Sequence, residues 1–98
     1  MKPYLLSPKA EQDIEAIWDY TEANWGMSQA EVYLNSIRTA LSGLCDKTFL
    51  SQSAEHIRQG YRRAIVGSHN IFFKDDKDAI IVIRILHQRM HTGRLLDD

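Results

Sequence analysis

Ninety-eight residues make one domain, expected over 1–98, with no room for a second. Hydrophobic residues are 44% and charged residues 26%, the balance of a soluble globular chain, and the longest apolar run, Ala79–Ile83, is far too short to span a bilayer. The net charge of −1 argues against general nucleic-acid binding, the first eleven residues carry no signal-peptide pattern, and the lone Cys45 has no disulfide partner within the chain, so a cytoplasmic protein without membrane contact is expected.

In chain order, Lys2–Leu6 reads as a short strand. Ser7 caps a helix whose first residue is Pro8, where the missing N–H costs nothing. Glu11, Asp13 and Glu15 suit the positive helix start. Ala10, Ile14, Ile17, Trp18, Thr21 and Trp25 follow at spacings of three and four, giving one apolar face in which the tryptophans supply the bulk. Gly26 ends this helix. A second begins at once, with Ser28 and Glu31 in a capping-box pattern and a stripe running from Ala30 to Cys45. So short a connection forces an antiparallel hairpin. Cys45 falls in that stripe and reads as core.

Asp46–Gly60 shows no clear period and reads as a loop, with a turn around Phe49-Leu50. Tyr61–Val66 and His69–Lys74 read as strands joined at Gly67-Ser68 by a type II′ turn, which sets Val66 opposite His69. A second turn centred on 76–77 sets Lys74 opposite Ala79. Ala79–His87, AIIVIRILH, is apolar on both faces and belongs in the middle of a sheet, with the first strand beside it. A polar tail, Gln88–Asp98, closes the chain. The expected fold is a two-layer α+β domain: N-terminal strand, two-helix hairpin, then a three-stranded antiparallel meander joined to the first strand.

Strict alternation sorts the sheet. One face holds Arg62, Ala64, Val66, His69, Ile71, Phe73, Ile80, Val82, Arg84 and Leu86. The other holds Tyr61, Arg63, Ile65, Asn70, Phe72, Lys74, Ala79, Ile81, Ile83, Ile85 and His87. The helices cover only one face, and the face with Ala64, Val66, Ile71, Phe73, Ile80, Val82 and Leu86 is favoured as core. Ile65, Phe72, Ile81, Ile83 and Ile85 are then open to a partner.

Charge is split along the chain. Residues 1–55 hold four basic and eight acidic residues, and residues 56–98 hold eight basic and five acidic, with six of the seven arginines. Such a chain presents either one basic face to an acidic partner or two solvated faces of opposite sign.

The segments LSPKAEQDIEAIWDYTEANWG, QAEVYLNSIRTAL, IRQGYRRAIVGSHNIFFK and IRILHQRM, in that order and spacing, resemble ParE toxins of the ParE/RelE toxin–antitoxin superfamily along nearly the whole chain. Lys47-Thr48-Phe49 stands where many relatives carry Asn-Pro. The resemblance implies a ParE/RelE fold and a protein-binding toxin rather than an enzyme. It implies trapping of DNA gyrase on cleaved DNA, and neutralisation by a ParD-like antitoxin in a hetero-oligomer. No sequence-specific DNA binding by the toxin alone and no cofactor are expected. Arg58, Arg62, Arg63, Arg84 and Arg89 are the basic candidates for target or antitoxin contact. Ile65, Phe72, Ile81, Ile83 and Ile85 are the apolar candidates for the antitoxin.

The alternative is a ribosome-dependent mRNA endoribonuclease of the RelE type. That chemistry needs a base, a phosphate-binding cation and an acid in one place. Arg63, Arg84, His87 and Arg89 are of the right types, but Arg84 and His87 lie on opposite faces by parity and meet only if a bulge intervenes. Arg84 reads first as a structural ion-pair residue and His87 as a strand-end histidine. His56, His69, His87 and His91 have no ligand spacing for a metal, and no catalytic residue is assigned. Asp13 and Asp19 read as solvated.

Overall fold

The computed structural model describes residues 2–90 and 96. The expected polar tail after Met90 therefore falls, Leu96 apart, outside the described residues. The elements are β1 (Tyr4–Leu6), α1 (Pro8–Trp25), α2 (Met27–Cys45), β2 (Gln52–Ser53), β3 (Tyr61–Val66), β4 (His69–Asp75) and β5 (Ile80–His87). They build one sheet in the order β1-β5-β4-β3-β2, with β1 parallel to β5 and every other pair antiparallel. The expected α+β architecture is the observed one, with a further two-residue strand, β2, inside what reads as loop.

Local chemistry sets the helix ends. Ser7 is extended, its Oγ accepts the Ala10 N–H at 3.0 Å, and Pro8 follows at the first helical position. The same Oγ donates to the Ile83 carbonyl at 2.7 Å, and the Ser7 N–H to that of Val82 at 2.9 Å. One residue thus caps α1 and stitches it to β5. Gly26, at φ 92°, ends α1 and starts α2; a side chain there is strained. The capping box expected from Ser28 does not form. The chain re-enters helix at Met27, so Ser28 already lies inside α2, and the cap position is Gly26, which has no side chain to offer.

The β3–β4 hairpin has the expected register, Val66 opposite His69. Gly67 has φ 54°, and among the described residues Lys47 is the one non-glycine with positive φ. A positive φ at the first turn position alone is the type II′ pattern. The β4–β5 turn sits one residue later than expected: Asp75 faces Ile80, Lys74 faces Ile81, and Asp76 N–H reaches the Ala79 carbonyl at 3.0 Å. That two-residue change of register preserves the alternation. A second irregularity does not. Phe73 faces Val82 but Phe72 faces Arg84, so Ile83 is an extra residue, a β-bulge. Beyond it every side chain of β5 changes sides.

The main core lies between the helices and one sheet face. α1 gives Ala10 and Ile17, α2 gives Leu34, Ile37, Ala40, Leu41, Leu44 and Cys45, and the sheet gives Ala64, Val66, Ile71, Phe73, Ile80, Val82 and Ile85. The favoured face is correct up to the bulge. After it, Ile85 replaces Leu86. Burial, and next the Asp46 carboxylate, push the Cys45 thiol up, as suits a core cysteine. Trp18 packs half-buried on this core, but Trp25, in the last turn of α1, is 71% exposed and adds no bulk.

The opposite face is not open as expected. Ala54, Tyr61, Phe72, Leu86 and Leu96 form a second buried cluster, with Ile57 and Ile83 against it. The chain after β2 folds over this face, held by Ala54 N–H to the Tyr61 carbonyl at 2.8 Å and Tyr61 N–H to the Arg58 carbonyl at 3.1 Å. Phe72 is 0% exposed and Ile85 lies under the helices, so neither is available to a partner. Ile65 is 50% exposed, and Ile81 and Ile83 are partly so.

Candidate functional site: a groove floored by a histidine pair

The bulge brings His87 to the helix side, opposite His69 on β4. Their rings meet edge to face, 5.3 Å between centroids at 85°. Tyr33 of α2 lies on the other side of His69, its hydroxyl 2.6 Å from Nδ1. The same hydroxyl accepts the Ser68 N–H at 3.2 Å and lies 3.1 Å from the Val66 carbonyl. It has one proton to give: given to Val66 it makes His69 Nδ1 a donor, and given to His69 an acceptor. His87 is unambiguous. Its Nδ1 accepts the Arg89 N–H at 3.1 Å, so the neutral ring carries its proton on Nε2. Burial and then His87 hold His69 below the ordinary histidine range, with Asp13 working the other way. Burial raises the Tyr33 hydroxyl, opposed by the Ser68 hydrogen bond.

This trio floors a groove beside α1. One hollow, of about 380 Å³, runs from Asp13 and Ala16 past Ile85 to Met90. A second, of about 540 Å³, continues to Trp25 and Gln29, and both share Tyr20, Thr21, His69 and His87. Tyr20 at 67% and Trp25 at 71% exposure stand on its rim. The walls are mostly apolar with a few polar groups on the floor, the make-up of a binding surface.

Asp13 closes the groove's other end. Its Oδ2 accepts Arg84 Nε at 2.8 Å, its Oδ1 accepts the second guanidinium nitrogen at 2.8 Å, and Oδ2 also takes the Ile85 N–H at 2.9 Å. Asp13 is 13% exposed and Arg84 16%, so the expectation of a solvated Asp13 is overturned. Past Leu6, β5 has no strand neighbour on this edge among the described residues, and the carboxylate takes the N–H that a further strand residue would have taken. Arg84 is, as read, an ion-pair residue.

The other basic candidates are dispersed. Arg62 donates to Ser51 through Nε to Oγ at 3.0 Å and through its terminal nitrogen to the carbonyl at 3.2 Å. Arg63 donates to Gln52 Oε1 at 3.0 Å, and its buried Nε has no hydrogen-bond partner among the described residues. These two flank β2 from opposite faces of β3. Arg58 and Arg89 are exposed, Arg58 in the turn after β2 and Arg89 beside the histidine pair. No cationic cluster faces the histidines among the described residues. Among the described residues, no group of three or more His, Cys, Asp or Glu is placed to hold a metal ion, and no helix is long and apolar enough to cross a membrane.

Residues 4–92 match the model of the family described as ParE toxin of type II toxin-antitoxin system, parDE. The chain belongs to the ParE toxin family. Toxin ParE1 of Mycobacterium tuberculosis is 40% identical over 94 residues, 95% of this chain and 96% of that one. Toxin ParE1 of Caulobacter vibrioides is 37% identical over 92 residues, 94% and 95% of the two chains. In fold, the chain is similar to a solved structure described as the chromosomal ParDE TA system from P. aeruginosa, with a TM-score of 0.73 at 20% identity over 89% of this chain and 96% of that chain.

Within this ParE-family chain, four groove residues went unremarked as a set: Asp13, Tyr33, His69 and Trp25. One signal for Asp13 was present. A lone arginine in the apolar strand AIIVIRILH needs a carboxylate, and an acid just off the apolar stripe of the neighbouring helix is the place to seek it. No such signal marks the histidine pair, which exists only because of the bulge.

Proposed function

We propose that this ParE-family protein is the toxin of a type II toxin–antitoxin pair that acts by binding rather than by chemistry. It traps DNA gyrase on cleaved DNA and is neutralised by a ParD-like antitoxin in a cytoplasmic hetero-oligomer. The family match across residues 4–92 carries this reading. The geometry supports it: among the described residues Arg84 is engaged by Asp13 and Arg62 and Arg63 bond to Ser51 and Gln52, so these three cations do not converge with a histidine as RNA cleavage requires.

The antitoxin contact is proposed at Ile65, Ile81 and Ile83, the sheet residues still reachable, and at the groove rim, with Arg89 and Arg58 receiving its acidic side chains. An antitoxin segment that orders on binding needs an interface of roughly 1,000 Å² or more. The decisive experiment supplies purified toxin to gyrase cleavage-complex assays and, in parallel, to translating ribosomes read by toeprinting. Accumulated gyrase–DNA cleavage complexes with intact mRNA are expected. Codon-specific cuts with gyrase unaffected would replace this reading with that of a ribosome-dependent endoribonuclease.

A further inference from the structure

The apolar pattern of β5 fits two registers. Carrying the Phe73–Val82 pairing on without an extra residue sets Ile71 opposite Arg84 and His69 opposite Leu86. The helix face of β5 would then read Ile80, Val82, Arg84, Leu86. The observed bulge sets Ile71 opposite Ile85 and His69 opposite His87, and the helix face reads Ile80, Val82, Ile85, His87. Either choice buries a branched aliphatic residue, Leu86 or Ile85, so hydrophobicity hardly separates them. What separates them is Arg84. Without the bulge its guanidinium points under the helices beside Ile71, which is 0% exposed. The extra residue moves it to the strand edge, where Asp13 grips it through two nitrogens and takes the Ile85 N–H as well. Ser7 Oγ holds the carbonyl of the extra residue, Ile83.

We propose that the Asp13–Arg84 pair is a register lock: it forces the bulge in β5 and so decides that His87, rather than Leu86, faces the groove and pairs with His69. Asp13 acts here as a positioning residue for the groove floor. Removing Asp13 alone would take this carboxylate from a largely buried guanidinium, so the informative change removes both charges. In Asp13→Ala/Arg84→Leu the straight register gains a fourth aliphatic residue on the helix face and no longer carries a penalty.

The test reads the register by disulfide trapping in a Cys45→Ala background, with oxidised glutathione as the oxidant. Directly opposed residues in an antiparallel pair lie within disulfide reach and offset ones link poorly. With Asp13 and Arg84 present, His69→Cys/His87→Cys should link at least about tenfold faster than His69→Cys/Leu86→Cys. In Asp13→Ala/Arg84→Leu the preference should reverse. Unchanged preference for the 69–87 link in that variant overturns the lock, as does a preference for 69–86 with the pair intact. Should the double variant fail to fold, amide exchange of the unaltered protein decides. Ile85 N–H should exchange at least about tenfold more slowly than edge amides that face water, and exchange as fast as those means Asp13 holds nothing.

Discussion

Phe72 was expected to meet the antitoxin, and its burial turns it into a folding residue. Truncating it to alanine should therefore act on stability and leave binding nearly alone. The side chain is 0% exposed and packs with Tyr61, Leu86, Leu96 and Ala54 on the sheet face away from the helices. Phenylalanine-to-alanine changes at such sites cost about 3–5 kcal/mol, the transfer of the ring plus the cavity it leaves. A chain of 98 residues has a total stability of roughly 5–15 kcal/mol, so about a fifth or more of it is at stake. With a urea slope of about 1–3 kcal/mol per molar, the unfolding midpoint should fall by roughly 1–5 M. Ile65→Ala is the matched control: at 50% exposure it should cost under about 1 kcal/mol and, as a proposed contact, weaken antitoxin binding. Urea unfolding with antitoxin titration below the midpoint of each variant makes the comparison. A Phe72→Ala protein that unfolds at nearly the native urea concentration but binds antitoxin tenfold more weakly would refute the assignment of Phe72 to the core.

Three further outcomes are expected. His69 is held below 6.5 by burial and by His87, so on acidification the unfolded chain takes up its proton before the folded one does. Stability should thus be undiminished by this group above 6.5, fall as pH drops through 6.5, and level off below the folded value; urea midpoints measured from pH 8 to 5 should show a slope that His69→Gln flattens. Gly67→Ala should cost about 1–3 kcal/mol, because φ 54° disfavours a side chain and the new Cβ would lie 2.8 Å from the Tyr33 ring; thermal unfolding reads it, and Tyr33→Ala in the same chain should recover only the steric part. Arg84→Ala, which strands the Asp13 carboxylate, should destabilise by about 3–5 kcal/mol, whereas Arg89→Glu on the surface should stay within about 0.5 kcal/mol yet slow antitoxin association at low salt, as stopped-flow mixing would show.

The elements with strong local chemistry were legible from the residues alone. Ser7-Pro8 and Gly26 mark the ends of α1, and Gly67-Ser68 places the first hairpin to the residue. The place of β1 beside β5 follows from the need to shield so apolar a strand. Two things escaped. β2 has two residues, too few for any period, and is held by partners from β3. The bulge escaped because alternation carries information only when the two faces of a strand differ, and in Ile80–Leu86 they barely do. From that one residue follow the wrong placement of Ile85 and Leu86 and the invisibility of the groove floor. The cover over Phe72 was hidden for a related reason: Asp46–Gly60 has no periodic face, so its ability to supply Ala54 and Ile57 to a core depends on where the sheet puts it.

The pairing of β1 with β5 joins Tyr4 to Ile80, across most of the chain. Closing so long a loop gives no return until nearly everything between has been made. At a synthesis rate of roughly 5–20 residues per second, the first strand emerges about 4–15 s before its partner. Ser7 waits equally long for Val82 and Ile83, and Asp13 for Arg84. The residues of the helical hairpin leave the ribosome before β3, β4 and β5, the strands that cover their apolar side. Their burial is therefore a late event of synthesis, whatever local structure they hold before it.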